Sequence, residues 1–208
     1  MIGALSFASC YVYSPTGSGL ICARSRLLRA LLKEGDARFM IQYAARVREE
    51  ARLSARLGGF FLAGDVFVPV PRSAPKTGGT WVAAELAQAL VHQGLGVMMW
   101  PGLRRVSAVR KSATSAHGAR PSVGSHYDSF RMEPPALQPA RVVLIDDVVT
   151  KGRTFLAAAS RVREAIPDSE IRAFALLRTL GRVARVRHLL DPCRGEIRWI
   201  GGDAQRDP

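Results

Sequence analysis

The stretch Val142-Val-Leu-Ile-Asp146-Asp147-Val-Val-Thr150-Lys151-Gly152-Arg153-Thr154 decides how this chain reads. Arg141 to Ile145 is a short, β-branched apolar run, the pattern of a central parallel strand buried on both faces. It delivers two adjacent carboxylates, Asp146 and Asp147, to the C-terminal edge of that strand, where α/β sheets bind their ligands. Thr150, Gly152 and Thr154 then open a helix predicted over about Arg153 to Ile166, which Pro167 stops. Consecutive backbone N–H groups at a helix start, with two hydroxyl donors, make a cradle for a phosphate, and Gly152 allows the chain to curl tightly around the anion. One short segment therefore offers acceptors for sugar hydroxyls and donors for a phosphate, which is what a sugar-phosphate site requires.

Strands and helices alternate on either side of this segment. Leu5 to Tyr13 is apolar and aromatic and reads as a strand, followed by a turn over Ser14 to Gly19. A helix is predicted over Ala23 to Lys33, with Leu27, Leu28, Leu31 and Leu32 on its inner face, and Gly35 ends it. Asp36 caps a second helix, running to about Leu57, with Met40, Tyr43, Ala44, Val47 and Ala51 at helical spacing. Arg48, Arg52 and Arg56 lie four apart on it and form a basic stripe. Asp65 to Val70 reads as a buried strand, Pro71 to Thr80 as a loop, and Trp81 to His92 as a helix with Val82, Leu86, Ala89 and Leu90 inward. Gly94 to Trp100 is a further candidate strand. Residues 101 to 126 form a long connection rich in Arg, Ser and Gly, and long connections of this kind are commonly functional. Ile171 to Leu177 is the next strand, and the tail adds a basic helix over Val183 to Leu190 and a short strand around Ile197 to Ile200. Alternation of this kind predicts an α/β fold with a mainly parallel central sheet flanked by helices.

Composition sets the outer limits. The chain has 208 residues, a length that suits one compact domain with embellishments. Hydrophobic residues at 48% and charged residues at 23% are ordinary globular usage, which argues against a disordered or fibrous chain. No apolar run reaches the roughly 20 residues that a membrane-spanning helix needs. The first basic residue is Arg24, so the positive start of a secretory signal is missing, and a cytoplasmic location is expected. Cys10, Cys22 and Cys193 are widely spaced without a C-x-x-C pair, suggesting neither a zinc site nor a disulfide framework. The net charge of +13 would attract polyanions, but the basic residues are nearly all Arg, a bias that codon usage alone can produce, so charge by itself does not establish nucleic-acid binding.

The string Val-Leu-Ile-Asp146-Asp147-Val-Val-Thr150-x-Gly152-x-Thr154 resembles the ribose-5-phosphate signature of type I phosphoribosyltransferases, most closely the ComF-like (competence-associated, amidophosphoribosyltransferase-like) branch. Val68-Pro69-Val70-Pro71-Arg72 is similar to the Val-Pro-Val-Pro segment that leads into the diphosphate loop of that branch, and Leu31-Leu32-Lys33 looks like its N-terminal helix. The departures are specific. The four-cysteine zinc module of ComF relatives is absent from this sequence. Where their diphosphate loop continues Arg-Gly-Phe-Asn-Gln, this chain has Lys76-Thr77-Gly78-Gly79-Thr80-Trp81, and Arg153 matches instead the Thr-Gly-Arg-Thr of the RNA-binding relative PyrR.

The resemblance implies one phosphoribosyltransferase-like domain over 1–208, made of an N-terminal part (1–62), a core for 5-phosphoribosyl 1-diphosphate (63–180) and a basic extension (181–208), with a small hood built by the termini. By the same resemblance, Asp146 and Asp147 would be catalytic, holding the ribose 2′- and 3′-hydroxyls. Val149, Thr150, Lys151, Gly152, Arg153 and Thr154 would wrap the 5′-phosphate. Arg72, Ser73 and Lys76 would meet the diphosphate, with Arg104, Arg105 and Lys111 joining from the long connection as it closes over the site and excludes water. Mg²⁺ would arrive with the diphosphate rather than on protein ligands. The implied activity is Mg²⁺-dependent phosphoribosyl transfer to a nitrogenous acceptor, with the donor or a nucleotide 5′-phosphate as partner and no membrane. The alternative is a non-catalytic protein of the same fold that senses the donor or binds nucleic acid, and a homodimer also stays open. His117 and His126 lie in the long connection with no partner visible, and His92 and His188 carry no functional argument.

Overall fold

The computed structural model describes residues 1–75, 79–109, 121–181 and 186–208. Strand β6 (Arg141–Val149) lies at its centre, with Val142, Val143, Leu144 and Ile145 fully buried. Burying such a side chain stabilises by roughly 1.5–3 kcal/mol each, so four in succession anchor the sheet. On one side β6 pairs in parallel with β2 (Val66–Pro69), and β2 with the short β3 (Met98–Met99). On the other it pairs in parallel with β7 (Glu170–Thr179), which in turn lies parallel to β1 (Ala4–Tyr13). Two antiparallel strands, β8 (Leu190–Ile200) and β9 (Asp203–Asp207), complete a seven-stranded sheet of order β3-β2-β6-β7-β1-β8-β9. The α/β alternation and the parallel core over β2, β6 and β7 are as the sequence predicts.

Helices cover both faces. Against one pack α1 (Leu20–Glu34), α2 (Ala37–Leu53) and α3 (Val82–His92), sharing a core with Val143, Ile145 and Phe174. Against the other packs α5 (Arg153–Ala165), joined by α4 (Val123–Ser129) and a separate two-stranded sheet of β4 (Leu103–Arg105) and β5 (Phe130–Met132), in a core with Val142 and Leu144. Asp36 caps α2 as expected, its carboxylate accepting from the Arg38 N–H at 2.8 Å.

Several expectations are corrected. The termini do not build a hood: β1 inserts beside β7, and β8 and β9 widen the central sheet, because their alternating apolar positions find cover on the α5 face. The separate layer is the antiparallel β4–β5 pair instead, with β4 drawn from the long connection and β5 from just beyond it. The strand expected over Gly94 to Trp100 shortens to β3. Helix α2 ends at Leu53, so Arg56 lies beyond it. Leu27 is 59% exposed, since the inner face of α1 is formed by Cys22, Ser25, Leu28 and Leu32. Of the basic helix expected over Val183 to Leu190, residues 182–185 lie outside the described residues, residues 186–189 are not helical, and Leu190 opens β8.

The N-terminal end of the sheet is fastened by a buried charge cluster. Asp65, fully buried just ahead of β2, takes Arg172 of β7 at 2.6 Å and Arg141 of β6 at 3.3 Å, and its other oxygen accepts from the Leu62 N–H at 2.8 Å. Three neighbouring strands are thereby tied through one carboxylate. Asp65→Ala leaves Arg172 buried with only the exposed Glu170 carboxylate, 3.2 Å away, as counter-ion, and equilibrium urea denaturation should show a loss of about 3–5 kcal/mol. An unchanged midpoint would show that the cluster does not hold the sheet.

Candidate functional site

The opposite, C-terminal end of the sheet carries the acidic pair. Side chains alternate along a strand, and alternation through Ile145 sends Asp146 to the α5 face and Asp147 to the α1 face. The contacts agree. Asp147 Oδ2 lies 2.5 Å from Lys33 Nζ, at the end of α1. Asp146 lies in the field of Arg105, from β4 on the α5 side. Just beyond, the alternation reverses: Val148 packs with the α1–α3 core and Val149 with the α5 core. The Asp147 N–H donates to Asp146 Oδ1 at 2.8 Å, so the first carboxylate is fixed by the backbone of the second. Burial and the neighbouring Asp147 charge raise the Asp146 carboxyl well above the usual carboxylate range, with Lys33 pulling the other way.

Gly152 follows, with φ +88, as the N-cap of α5. Two constraints require glycine there. The left-handed backbone costs other residues roughly 1–2 kcal/mol, and a Cβ would stand 2.6 Å from Ile197 Cγ2 of β8. Having no side chain, Gly152 leaves the opening N–H groups of α5 without a capping acceptor, as an anion-binding turn needs. Thr150 is exposed and Thr154 half-buried beside them.

The flanking cations behave differently from expectation. Arg153 does not point into the cradle as a charge for a ligand: its Nε and second terminal nitrogen clasp both oxygens of Asp203 at 2.5 and 2.6 Å, and it also donates to the Pro121 carbonyl at 3.1 Å. Lys151 Nζ reaches the same carboxylate at 3.2 Å. The Arg153 hydrogen bond holds the Asp203 carboxyl well below its ordinary range. Arg206, also on β9, donates to the Val149 carbonyl at 3.2 Å and the Thr179 carbonyl at 2.6 Å. Val149 itself contributes backbone, since its side chain is spent in the core. The β8–β9 pair thus braces the loop through Ile197, Asp203 and Arg206, residues for which the sequence offered no local signal.

The loop after β2 is closed on itself. Arg72 donates to the carbonyls of Gly79 (3.0 Å) and Thr80 (3.3 Å), and the Trp81 indole to the Val70 carbonyl at 2.8 Å. The Ser73 carbonyl accepts from the Val109 N–H at 2.9 Å. Alternation in β4 separates the two arginines expected to act together. Arg104 points outward to Glu133 at 3.1 Å and does not join the site. Arg105 is buried: its Nε donates to the Arg72 carbonyl at 2.5 Å, its guanidinium donates to Ser129 Oγ and faces His126 Nδ1 at 3.5 Å, and it lies 4.2 Å from the centre of the Phe130 ring. Burial lowers it to about 10, with Asp146 opposing the shift. His126 is buried too, its pKa lowered to about 4 by burial and by Arg105 and Arg153, so it is a neutral packing partner rather than a surface histidine. Lys76, Arg110, Lys111 and His117 lie outside the described residues. The structure brings together Asp146, Asp147, Arg105, Arg72 and the 149–154 loop, and adds Lys33.

No protein-family model matches this sequence, and no curated protein matches it. Among the described residues, no helix is long and apolar enough to cross a membrane.

Two measurements test this geometry. Gly152→Ala should lower stability by at least about 1–2 kcal/mol from backbone strain alone, with Ile197 adding to the loss; a neutral substitution would exclude the left-handed turn. Asp146 has a folded pKa above its unfolded value of about 3.9, so its carboxyl costs stability progressively as the pH rises from the unfolded value towards the folded one, and the full cost is present above the folded value. Asp146→Asn should therefore be more stable than wild type at pH 8, and this advantage should vanish near pH 4. A pH-independent difference would mean that the carboxylate is not held against its own ionisation.

Proposed function

We propose that the chain is a phosphoribosyltransferase, moving a 5-phosphoribosyl group from the Mg²⁺ complex of 5-phosphoribosyl 1-diphosphate to a nitrogenous acceptor. The observation that carries this reading is the continuity of Asp146 and Asp147 at the end of a central parallel strand with the left-handed Gly152 turn that opens α5. On this reading, the carboxylates accept the ribose hydroxyls and the amides of residues 151–154 hold the 5′-phosphate. The bond from C1 to the diphosphate oxygen breaks, diphosphate departs with Mg²⁺, and a C1–N bond forms to the acceptor, which gives up a proton. Positive charge develops at C1 along the way, and carboxylates on its edge stabilise it. Arg72 and Lys76 of the loop after β2, with Lys111 of the long connection, would balance the leaving group, and Arg105 would hold the loop that presents it. On this reading magnesium arrives with the diphosphate, and Asp147 is engaged by Lys33.

Isothermal titration with the donor and Mg²⁺ tests binding, and Mg²⁺-dependent hydrolysis of the donor tests chemistry before an acceptor is known. Asp146→Asn combined with Asp147→Asn keeps the shape of both side chains and removes both charges. Hydrolysis should fall by about a hundredfold or more while the protein stays folded. Donor binding and hydrolysis equal to wild type would remove the catalytic assignment.

A second reading, a nucleic-acid-binding protein on this fold, has one observation in its favour. Arg48, Arg52 and Arg56 are all exposed, and the whole chain carries +13. Steep loss of DNA or RNA affinity with rising salt, in a protein that binds no donor, would favour it.

A further inference from the structure

Lys33 stands on the α1 side of the acidic pair, and three observations define what it can do there. Its ammonium is 2.5 Å from Asp147 Oδ2. That oxygen is buried and makes no hydrogen bond to any other described group. The Lys33 side chain is nevertheless 48% exposed, against 11% for Asp147, so the ammonium forms the rim between a buried carboxylate and open solvent.

Its position is fixed from behind. Lys33 lies in the last turn of α1, where the negative end of the helix dipole favours a cation. Two residues on, Gly35 closes the helix with φ +72, and a Cβ there would run into the Thr80 side chain. The end of α1 is thus pressed against the loop that Arg72 closes, and Lys33 projects between that loop and the pair. An ammonium carries three N–H donors, and Asp147 engages one side of it.

We propose that Lys33 is the resident cation of the acidic pair, doing what a metal ion would otherwise do there: it neutralises Asp147 and turns its remaining N–H donors to an anionic oxygen of the ligand. The ligand class that fits is one with vicinal hydroxyls next to a diphosphate, since the hydroxyls meet the carboxylates and the anion meets the ammonium. The diphosphate half of this inference rests on the transferase reading. The metal half does not, because it concerns only what Asp147 is free to bind.

The test uses the full chain with Lys33→Met, Lys33→Arg and the double variant Lys33→Met/Asp147→Asn. Inorganic diphosphate without metal is titrated calorimetrically into each. Losing a charged donor should weaken diphosphate by about tenfold or more in Lys33→Met, with affinity largely restored in Lys33→Arg. In a separate arm Mn²⁺ is titrated without ligand and followed by electron paramagnetic resonance. Lys33→Met should bind Mn²⁺ more tightly than wild type, because Asp147 is freed, and the double variant should lose the gain. Should the single variant fail to fold, the double variant removes both charges and still has to show the weakened diphosphate binding. Equal diphosphate binding by wild type and Lys33→Met overturns the anion-binding role. Equal Mn²⁺ binding overturns the claim that Lys33 occupies the place of a metal. A wild type that binds the phosphoribosyl donor while either result holds leaves the transferase reading standing, whereas a wild type that binds no donor removes that reading and leaves the metal arm to decide the rest.

Discussion

Two like charges on neighbouring residues at the end of a buried strand repel each other, and much of this structure is organised around making that tolerable. The strand supplies a partial remedy: alternation through Ile145 turns the two side chains apart, although a side-chain hydrogen bond still links Asp146 to Asp147. Each face then supplies a cation of its own kind. Lys33 touches Asp147 directly, while Arg105 acts on Asp146 from within the β4–β5 layer, where its hydrogen bonds are spent on neutral acceptors. The compensation is unequal, and the proton affinity of Asp146 stays raised. One carboxylate of the dipeptide is paired with an ammonium, and its neighbour is reluctant to ionise.

What was legible in the sequence is what is local. The apolar run of β6, the acid pair after it and the glycine that opens α5 are contiguous, and each obeys a rule of short range: burial, alternation and positive φ. The same holds for the Asp36 cap and for the inner face of α3. What was not legible came from elsewhere in the chain. Lys33 looked like one more exposed charge on α1, and only the close approach of Gly35 to Thr80 brings it to the pair. Arg153 looked like a phosphate ligand, and only the arrival of β9 turns it to Asp203. Arg104 and Arg105 looked equivalent as neighbours in a loop, and became opposites once that loop proved to contain a strand.

The two ends of the sheet are built on different principles. At the N-terminal end, Asp65 gathers Arg141 and Arg172, so opposite charges close a dry junction. At the C-terminal end, like charges are placed together, and only Asp147 has a cation in direct contact. Opposite charges pair where no ligand is expected, and like charges adjoin where one is. A rigid end allows the other to be poised, in keeping with the general finding that sites are maintained against their own preferences by the scaffold around them.

The parallel pairing of β1 with β7 has a consequence for how this protein comes into being. Strand β1 finds its sheet neighbours, β7 and β8, only after every other parallel strand of the sheet has been synthesised. Ala4 to Tyr13 contains no charge and no proline, the composition of a segment that readily pairs with foreign strands. During translation it is a β-strand without a sheet, and its non-local closure makes folding slow by topology rather than by any weakness of the finished core. Until β7 and β8 have been made, this strand has to be kept from pairing elsewhere.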